Sequence, residues 1–108
     1  MVQFSSSLDA AFAAVADPTR RGILEHLGHG TATITELAGR FEMTLTGIKK
    51  HVAVLEDAGL LVSTKVGRVR TCTLGDRRLD DEAAWLQRYQ ESVEARYRKL
   101  DRLLEEMD

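Results

Sequence analysis

Cysteine, proline and long apolar runs are scarce in this sequence. A single cysteine among 108 residues excludes an internal disulfide and is typical of the reducing cytoplasm, where we expect this protein. One proline and eight glycines exclude collagen and proline-rich linkers. No apolar run approaches the ~20 residues that a membrane-spanning helix needs. The N-terminal sequence also lacks the basic-then-apolar order of a signal peptide, so we predict no membrane partner.

Signatures of catalysis are missing as well. The sequence contains no glycine-rich phosphate loop, no G-x-S-x-G elbow and no H-E-x-x-H pair, so we expect neither an enzyme nor a cofactor. His26 and His29 lie three residues apart, but a histidine late in a helix complements the helix dipole, and we interpret His26 as structural. Cys72 has no second cysteine to pair with and is interpreted as a packed thiol.

Composition and charge indicate one folded domain with a basic middle. Hydrophobic residues make up 44% of the chain, which excludes intrinsic disorder, and the length suits a single domain over 1–108. The formal net charge is −2, yet residues 39–75 carry six basic and three acidic side chains, a net +3. Because a phosphate backbone responds to local charge, this middle third is the candidate for nucleic-acid contact.

Capping signals predict two helices in the first 28 residues. Ser6 and Asp9 resemble a capping box at the start of the first helix. Its apolar positions recur at helical spacing at Phe4, Leu8, Phe12 and Val15. Asp17 followed by Pro18 predicts the start of a second helix, which Gly28 ends.

The next two helices have helix-turn-helix spacing over about 34–58. Thr33 and Glu36 form a T-x-x-E capping box before a helix of about 34–41. Thr44 then caps a helix of about 45–58. We predict that the inner face of this second helix consists of Leu45, Ile48, Val52 and Leu55.

Residues 61–74 predict a β-hairpin, and about 81–107 predict a long helix. Gly67-Arg68 separates two six-residue runs rich in valine and threonine, which is a two-residue hairpin signal. In the last helix, six intervals between apolar residues cover 21 positions, a mean of 3.5, which is the coiled-coil period. These residues are the predicted homodimer contact: Leu86, Tyr89, Val93, Tyr97, Leu100, Leu104 and Met107.

The residues that the second helix of this pair turns outward favour contact with DNA. A helix that enters the major groove needs small residues for close approach and donors for phosphates and base edges. The predicted contacts are Thr44, Thr46, Gly47, Lys49, Lys50 and His51, with Arg40 from the preceding helix. For His51, packing under the helix is the alternative. The following hairpin adds a basic wing with Lys65, Arg68 and Arg70.

The chain resembles the ArsR family of bacterial winged-helix repressors. The matching stretches, taken in order, are ADPTRR (16–21), TELA (35–38), KHV (50–52), AGL (58–60), GR (67–68) and WL (85–86). The resemblance implies a mainly α winged helix-turn-helix fold with a small hairpin. It also implies a homodimer joined by the first helix, with Leu8 and Phe12, and by the last. The implied partner is a double-stranded, pseudo-palindromic operator.

The resemblance is nearer to family members without a metal site. Metal-sensing members carry a pair of cysteines in the helix before the recognition helix, where this chain has Leu37-Ala38-Gly39. A metal- or redox-responsive sensor of the same fold stays open as an alternative. So does a winged helix that binds protein rather than DNA. The sequence does not indicate whether a small-molecule inducer exists.

Overall fold

A computed structural model describes residues 6–107, which form five helices and three strands. The elements are α1 (Ser6–Val15), α2 (Pro18–Leu27), β1 (Ala32–Thr33), α3 (Ile34–Arg40), α4 (Leu45–Asp57), β2 (Leu61–Val66), β3 (Val69–Leu74) and α5 (Asp80–Glu106). The chain divides into two units, one ending at Arg78 and one beginning at Leu79. Phe4, predicted as the first apolar position of α1, lies outside the described residues.

The corner between α1 and α2 is closed by side chains of the ADPTRR stretch. Asp17 caps α2 by accepting from the backbone N–H of Arg20 at 3.0 Å, and Pro18 takes the first helical position, so the predicted start is confirmed. Arg20 donates to the carbonyls of Ala14 and Ala13 at 2.7 and 3.0 Å. These bonds reach carbonyls in the last turn of α1, and the carbonyl of Ala13 also accepts from the N–H of Ala16 at 3.2 Å.

The predicted caps of the helix-turn-helix are confirmed. Thr33 and Glu36 form the reciprocal capping box at the start of α3, and the Thr44 hydroxyl accepts from the N–H of Gly47 at 3.0 Å. Between the helices, Glu42 adopts a φ of 52°. The N–H of Glu42 donates to the carbonyl of Gly39, and the N–H of Met43 donates to that of Ala38. This is a Schellman motif with glutamate at the left-handed position that glycine usually occupies.

The core of the first unit is formed by α1, α2, α3, α4 and the sheet. One predicted core residue, Leu45, does not lie in it. The fully buried large side chains of the core are Ile23, Leu37, Ile48, Leu55, Leu61 and Cys72. Leu45, predicted to face this core, is instead 47% exposed. Its place at the first position of α4 puts it beyond the buried layer, where it lines a surface cleft.

The wing is a three-stranded antiparallel sheet rather than an isolated hairpin. The predicted runs 61–66 and 69–74 form β2 and β3, and the first turn residue, Gly67, has a φ of 62°, as a type II′ turn requires. The unpredicted strand β1 joins the other edge of β3, so the strand order is β1-β3-β2. In that pairing Ala32 lies opposite Cys72, and Thr33 lies opposite Thr71.

The second unit consists of the 27-residue helix α5, which exposes its apolar stripe. Tyr97, Leu100 and Leu104 are 65%, 51% and 55% exposed, and Val93 is half-buried. The rings of Trp85 and Tyr89 stack with centroids 5.7 Å apart. Among the described helices, none is both long enough and apolar enough to cross a membrane.

Candidate nucleic-acid interface

The outer face of α4 presents the predicted contact residues to solvent. Thr46, Lys49 and Lys50 are exposed, and Gly47 is half-buried. The Thr44 hydroxyl is occupied by the cap of the helix, so this residue has a structural role beside any contact with DNA. The buried face of the same helix carries Ile48, so the lysines project away from the core.

Four cations from α4 and the wing line one surface cleft of about 520 Å³. This basic cleft is lined by Thr33, Ile34, Thr35, Leu45, Lys49, Lys65, Val69, Arg68 and Arg70. No carboxylate is among these lining residues, so the cleft favours an anion such as a phosphate. The structure thus brings together four of the sequence-predicted residues. The cleft also includes Thr33, Thr35 and Leu45, which were not predicted to lie near these cations. Their place in the cleft depends on how the wing packs beside α3 and α4.

A polar network connects α4 to both wing strands. The hydroxyl of Ser63 donates to Oε1 of Glu56 at 2.7 Å, and Nη1 of Arg70 donates to that hydroxyl at 2.8 Å. We call this pair of bonds the Ser63 bridge. Glu56 and Ser63 were not predicted as site residues, because both are ordinary polar residues until α4 and β2 pack together. The period-2 alternation of β2, which places Ser63 on the same face as the buried Leu61, was the available signal.

His51 faces α2. Its Nδ1 lies 3.2 Å from Nη1 of Arg20 and 4.0 Å from a carboxylate oxygen of Asp17, and its side chain is 20% exposed. The N–H of Arg20 lowers the pKa of the Asp17 carboxyl, and the charges of His51 and Arg20 lower it further, against the opposing effect of burial. These contacts favour the packing alternative for this histidine.

Two further sequence-predicted features lie away from the basic cleft. Arg40 is exposed and lines a separate depression with His26 and His29.

Cys72 is fully buried, and burial raises the pKa of its thiol; the charge of Glu56 adds to this rise, while Arg70 opposes it. Within residues 6–107, no group of three or more histidine, cysteine, aspartate or glutamate side chains is arranged to hold a metal ion.

Two short helices joined by a tight turn, followed by a basic antiparallel wing, define a winged helix-turn-helix protein, and comparisons with known proteins agree. A family described as a helix-turn-helix domain matches residues 15–64. The uncharacterized HTH-type transcriptional regulator YuzN of Bacillus subtilis is 42% identical over 69 aligned positions, covering 57% of this chain and 75% of that protein. The transcriptional repressor SdpR of the same species is 29% identical over 79 positions, covering 73% and 88%.

A crystal structure of an ArsR family transcriptional regulator superimposes on the chain with a TM-score of 0.75 and 44% identity. The match covers 87% of this chain and 97% of that one. The chain therefore belongs to the ArsR family. It is a DNA-binding transcriptional regulator, as the sequence predicted.

Proposed function

We propose that this protein is a repressor that binds a pseudo-palindromic operator as a homodimer and controls its own or a neighbouring operon. The observation that carries the proposal is the basic cleft, in which one cation from α4 meets three from the wing beside the exposed face of α4. In a winged helix, the recognition helix reads the major groove while flanking groups grip the backbone. The name of SdpR, a repressor, supports the direction of regulation.

Within the interface, the two lysines of α4 are proposed to have different tasks. Adjacent residues diverge by about 100° around a helix, so they do not face the same part of the duplex. Lys49 lies one turn from Thr46 on the exposed face of α4, and we assign it to a base edge. Lys50, which diverges from that line, is assigned to a phosphate. Arg68, in the turn of the wing, is assigned to the backbone beyond the half-site.

The exposed stripe of α5 supports dimerisation. More than half of the surface of Tyr97, Leu100 and Leu104 is accessible in the single chain. Apolar residues at the coiled-coil period are buried when two such helices pair. We propose this pairing as the main dimer contact. Leu8 and Phe12, half-buried on α1, are proposed as further contacts.

We further propose that the chain acts as one winged helix-turn-helix domain in the bacterial cytoplasm and that DNA binding needs no metal. A chain with one buried cysteine lacks the paired thiolates that soft metals prefer. The metal part is tested by operator affinity with added Zn²⁺ and after chelation. A tenfold or greater change in either direction would contradict it.

The test of the whole proposal starts from a random pool of DNA duplexes, from which the full-length protein selects its preferred sites. Affinity for a selected and a scrambled duplex is then measured by fluorescence anisotropy at several salt concentrations. We expect selected sites with two-fold symmetry and an affinity that falls steeply with salt. No enrichment, or binding that salt does not weaken, would favour a protein-binding winged helix instead.

A further inference from the structure

The Ser63 bridge joins three elements through one hydroxyl group. Ser63 lies in β2, its acceptor Glu56 lies in α4 and its donor Arg70 lies in β3. All three side chains are half-buried, so these hydrogen bonds compete less with water than they would at an open surface. The hydroxyl donates to a carboxylate and accepts from a guanidinium, so both of its bonds are charge-assisted.

Arg70 is the member of the bridge that reaches the basic cleft. It lines the cleft with Lys49, Lys65 and Arg68, whereas Ser63 and Glu56 do not. A guanidinium has five N–H donors. Across residues 6–107, the bond to Ser63 is the one hydrogen bond that the structure gives to this guanidinium. The remaining donors are therefore available to a ligand in the cleft.

The register of the sheet places Arg70 where, without the bond to Ser63, its side chain would be repelled from the cleft. Lys65 and Arg70 lie directly opposite each other in the β2–β3 pairing. Like charges at opposed positions repel, which favours conformations in which one side chain turns away. The bond to Ser63, backed by the carboxylate of Glu56, opposes that movement. A side chain that is already held also loses less conformational entropy when it binds.

We propose that Ser63 and Glu56 are positioning residues for DNA binding, which hold the guanidinium of Arg70 in the basic cleft to bind a backbone phosphate. The inference rests on the proposed function, because it requires that the cleft contact DNA. Since neither Ser63 nor Glu56 lines the cleft, their effect on affinity runs through Arg70. This makes the inference testable by a cycle of single and double substitutions.

The experiment uses the full-length protein and its variants Ser63→Ala, Arg70→Ala and the double variant, titrated on a selected and a scrambled duplex across a range of salt. We expect Arg70→Ala to weaken binding to both duplexes and to lower the salt slope by ~1 per protomer. Ser63→Ala retains the charge of Arg70, so the salt slope stays while affinity falls roughly three- to tenfold. In the Arg70→Ala background, Ser63→Ala has no further effect.

Two controls separate positioning from folding. Thr64→Ala removes a hydroxyl from the neighbouring, exposed position of β2 and is expected to bind like the parent. Ser63→Thr keeps the hydroxyl group, and threonine is favourable in a strand. We therefore expect this variant to bind DNA more tightly than Ser63→Ala. Melting curves for every variant identify any loss of folded protein. If Ser63→Ala unfolds, Glu56→Ala replaces it in the cycle.

Three results would overturn the inference. They are parent-like salt dependence in Arg70→Ala, an undiminished effect of Ser63→Ala in the Arg70→Ala background, and failure of Ser63→Thr to bind better than Ser63→Ala. A parent protein that binds no duplex would instead overturn the proposed function. The two failures are therefore distinguished by the parent titration alone.

Discussion

The guanidinium of Arg20 donates from Nη1 to Nδ1 of His51, 3.2 Å away, and so connects α2 to α4. Arginine has no acceptor, so Nδ1 of His51 accepts in this contact. The same guanidinium donates to the carbonyls of Ala13 and Ala14. One side chain thus links the end of α1, the start of α2 and the middle of α4.

Asp17, beside this contact, predicts a pH dependence of stability. Its pKa lies below the ordinary value of 3.8, mainly because the N–H of Arg20 donates to it. A carboxyl group with a lowered folded-state pKa contributes stability above its unfolded-state pKa and loses that contribution as pH falls through the folded-state value. We expect Asp17→Asn to be less stable than the parent at pH 6, with a difference that shrinks as pH falls below 3.8 and vanishes below the lowered pKa of the folded state. Urea unfolding across that range measures it.

The control for this pH series is Asp101→Asn, which removes an equal charge from an exposed position of α5. If the stability difference between the parent and Asp17→Asn widened as pH fell, the Asp17 carboxylate would not be the stabilising form. Asparagine is as good an N-cap as aspartate, so the comparison isolates the charge from the cap itself.

Glu42 in the turn between α3 and α4 predicts a stabilising substitution. Its φ of 52° places a Cβ atom in the left-handed region, where glycine carries no steric cost. We expect Glu42→Gly to raise the free energy of unfolding by about 1 kcal/mol. Glu42→Ala keeps the Cβ atom and removes the charge, so it should not reproduce the gain. Thermal and urea unfolding of both variants measure the effect, and equal stabilities would contradict it.

Lys49, Lys50 and Arg68 are expected to give different signatures when each is replaced by alanine. Loss of a phosphate contact at Lys50 or Arg68 weakens binding to all sequences and lowers the salt slope by ~2 in a dimer. Loss of a base contact at Lys49 costs ~1–3 kcal/mol per half-site and relaxes the preference at one base pair. Titrations on selected and scrambled duplexes distinguish the two, and parent-like binding by all three variants would show that α4 is not the helix in the groove.

The stripe on α5 predicts that a single charge separates the subunits. Leu104→Glu, or Leu100→Glu, would place an unpaired carboxylate at the helix–helix contact at a cost of several kcal/mol. Because both leucines are exposed in the single chain, we expect folded monomers with lost operator binding. Ala95→Glu, an exposed position on the other side of the helix, is the matched control. Sedimentation measures the mass, and a dimeric Leu104→Glu variant would remove α5 from the interface.

Cys72 is expected to be a packed thiol rather than a redox switch. The side chain is fully buried, and burial raises the pKa of the thiol, which lowers the population of the reactive thiolate. We expect Cys72→Ser to retain DNA binding under both oxidising and reducing conditions. DNA binding is also measured before and after peroxide treatment. If peroxide released the parent from DNA but did not release Cys72→Ser, the expectation would be wrong.

The features that sequence predicted well depend on neighbours in the chain. The cap at Asp17, the capping box at Thr33 and the hairpin turn at Gly67 each need only residues within a few positions, so their spacing was sufficient. The strand β1 escaped prediction because it is two residues long and its partner β3 lies far along the sequence. Periodicity wrongly placed Leu45 in the core. The spacing of apolar residues identifies the buried face of a helix but not the residue at which packing begins.

In the candidate site, the charges could be predicted from the sequence, whereas the contacts between distant residues could not. The positive charges were visible as composition, and the structure brings four of them to one cleft. The contacts of Arg70 and His51 depend on how α4 packs against β2 and α2, so no local pattern predicted them. Which of these cations contacts DNA stays a prediction.

Thr33 ends β1 opposite Thr71 and also caps α3, so one residue serves both the sheet and the helix-turn-helix. This dual role limits which segments can be exchanged between family members in a chimeric protein. A chimera that exchanged only α3 and α4 would import a new residue 36 and a new residue 56, while their partners Thr33 and Ser63 stayed behind. The smallest cassette that keeps these two pairs together with β1 and Arg70 runs from 32 to 74, and it still separates His51 from its partner Arg20 in α2.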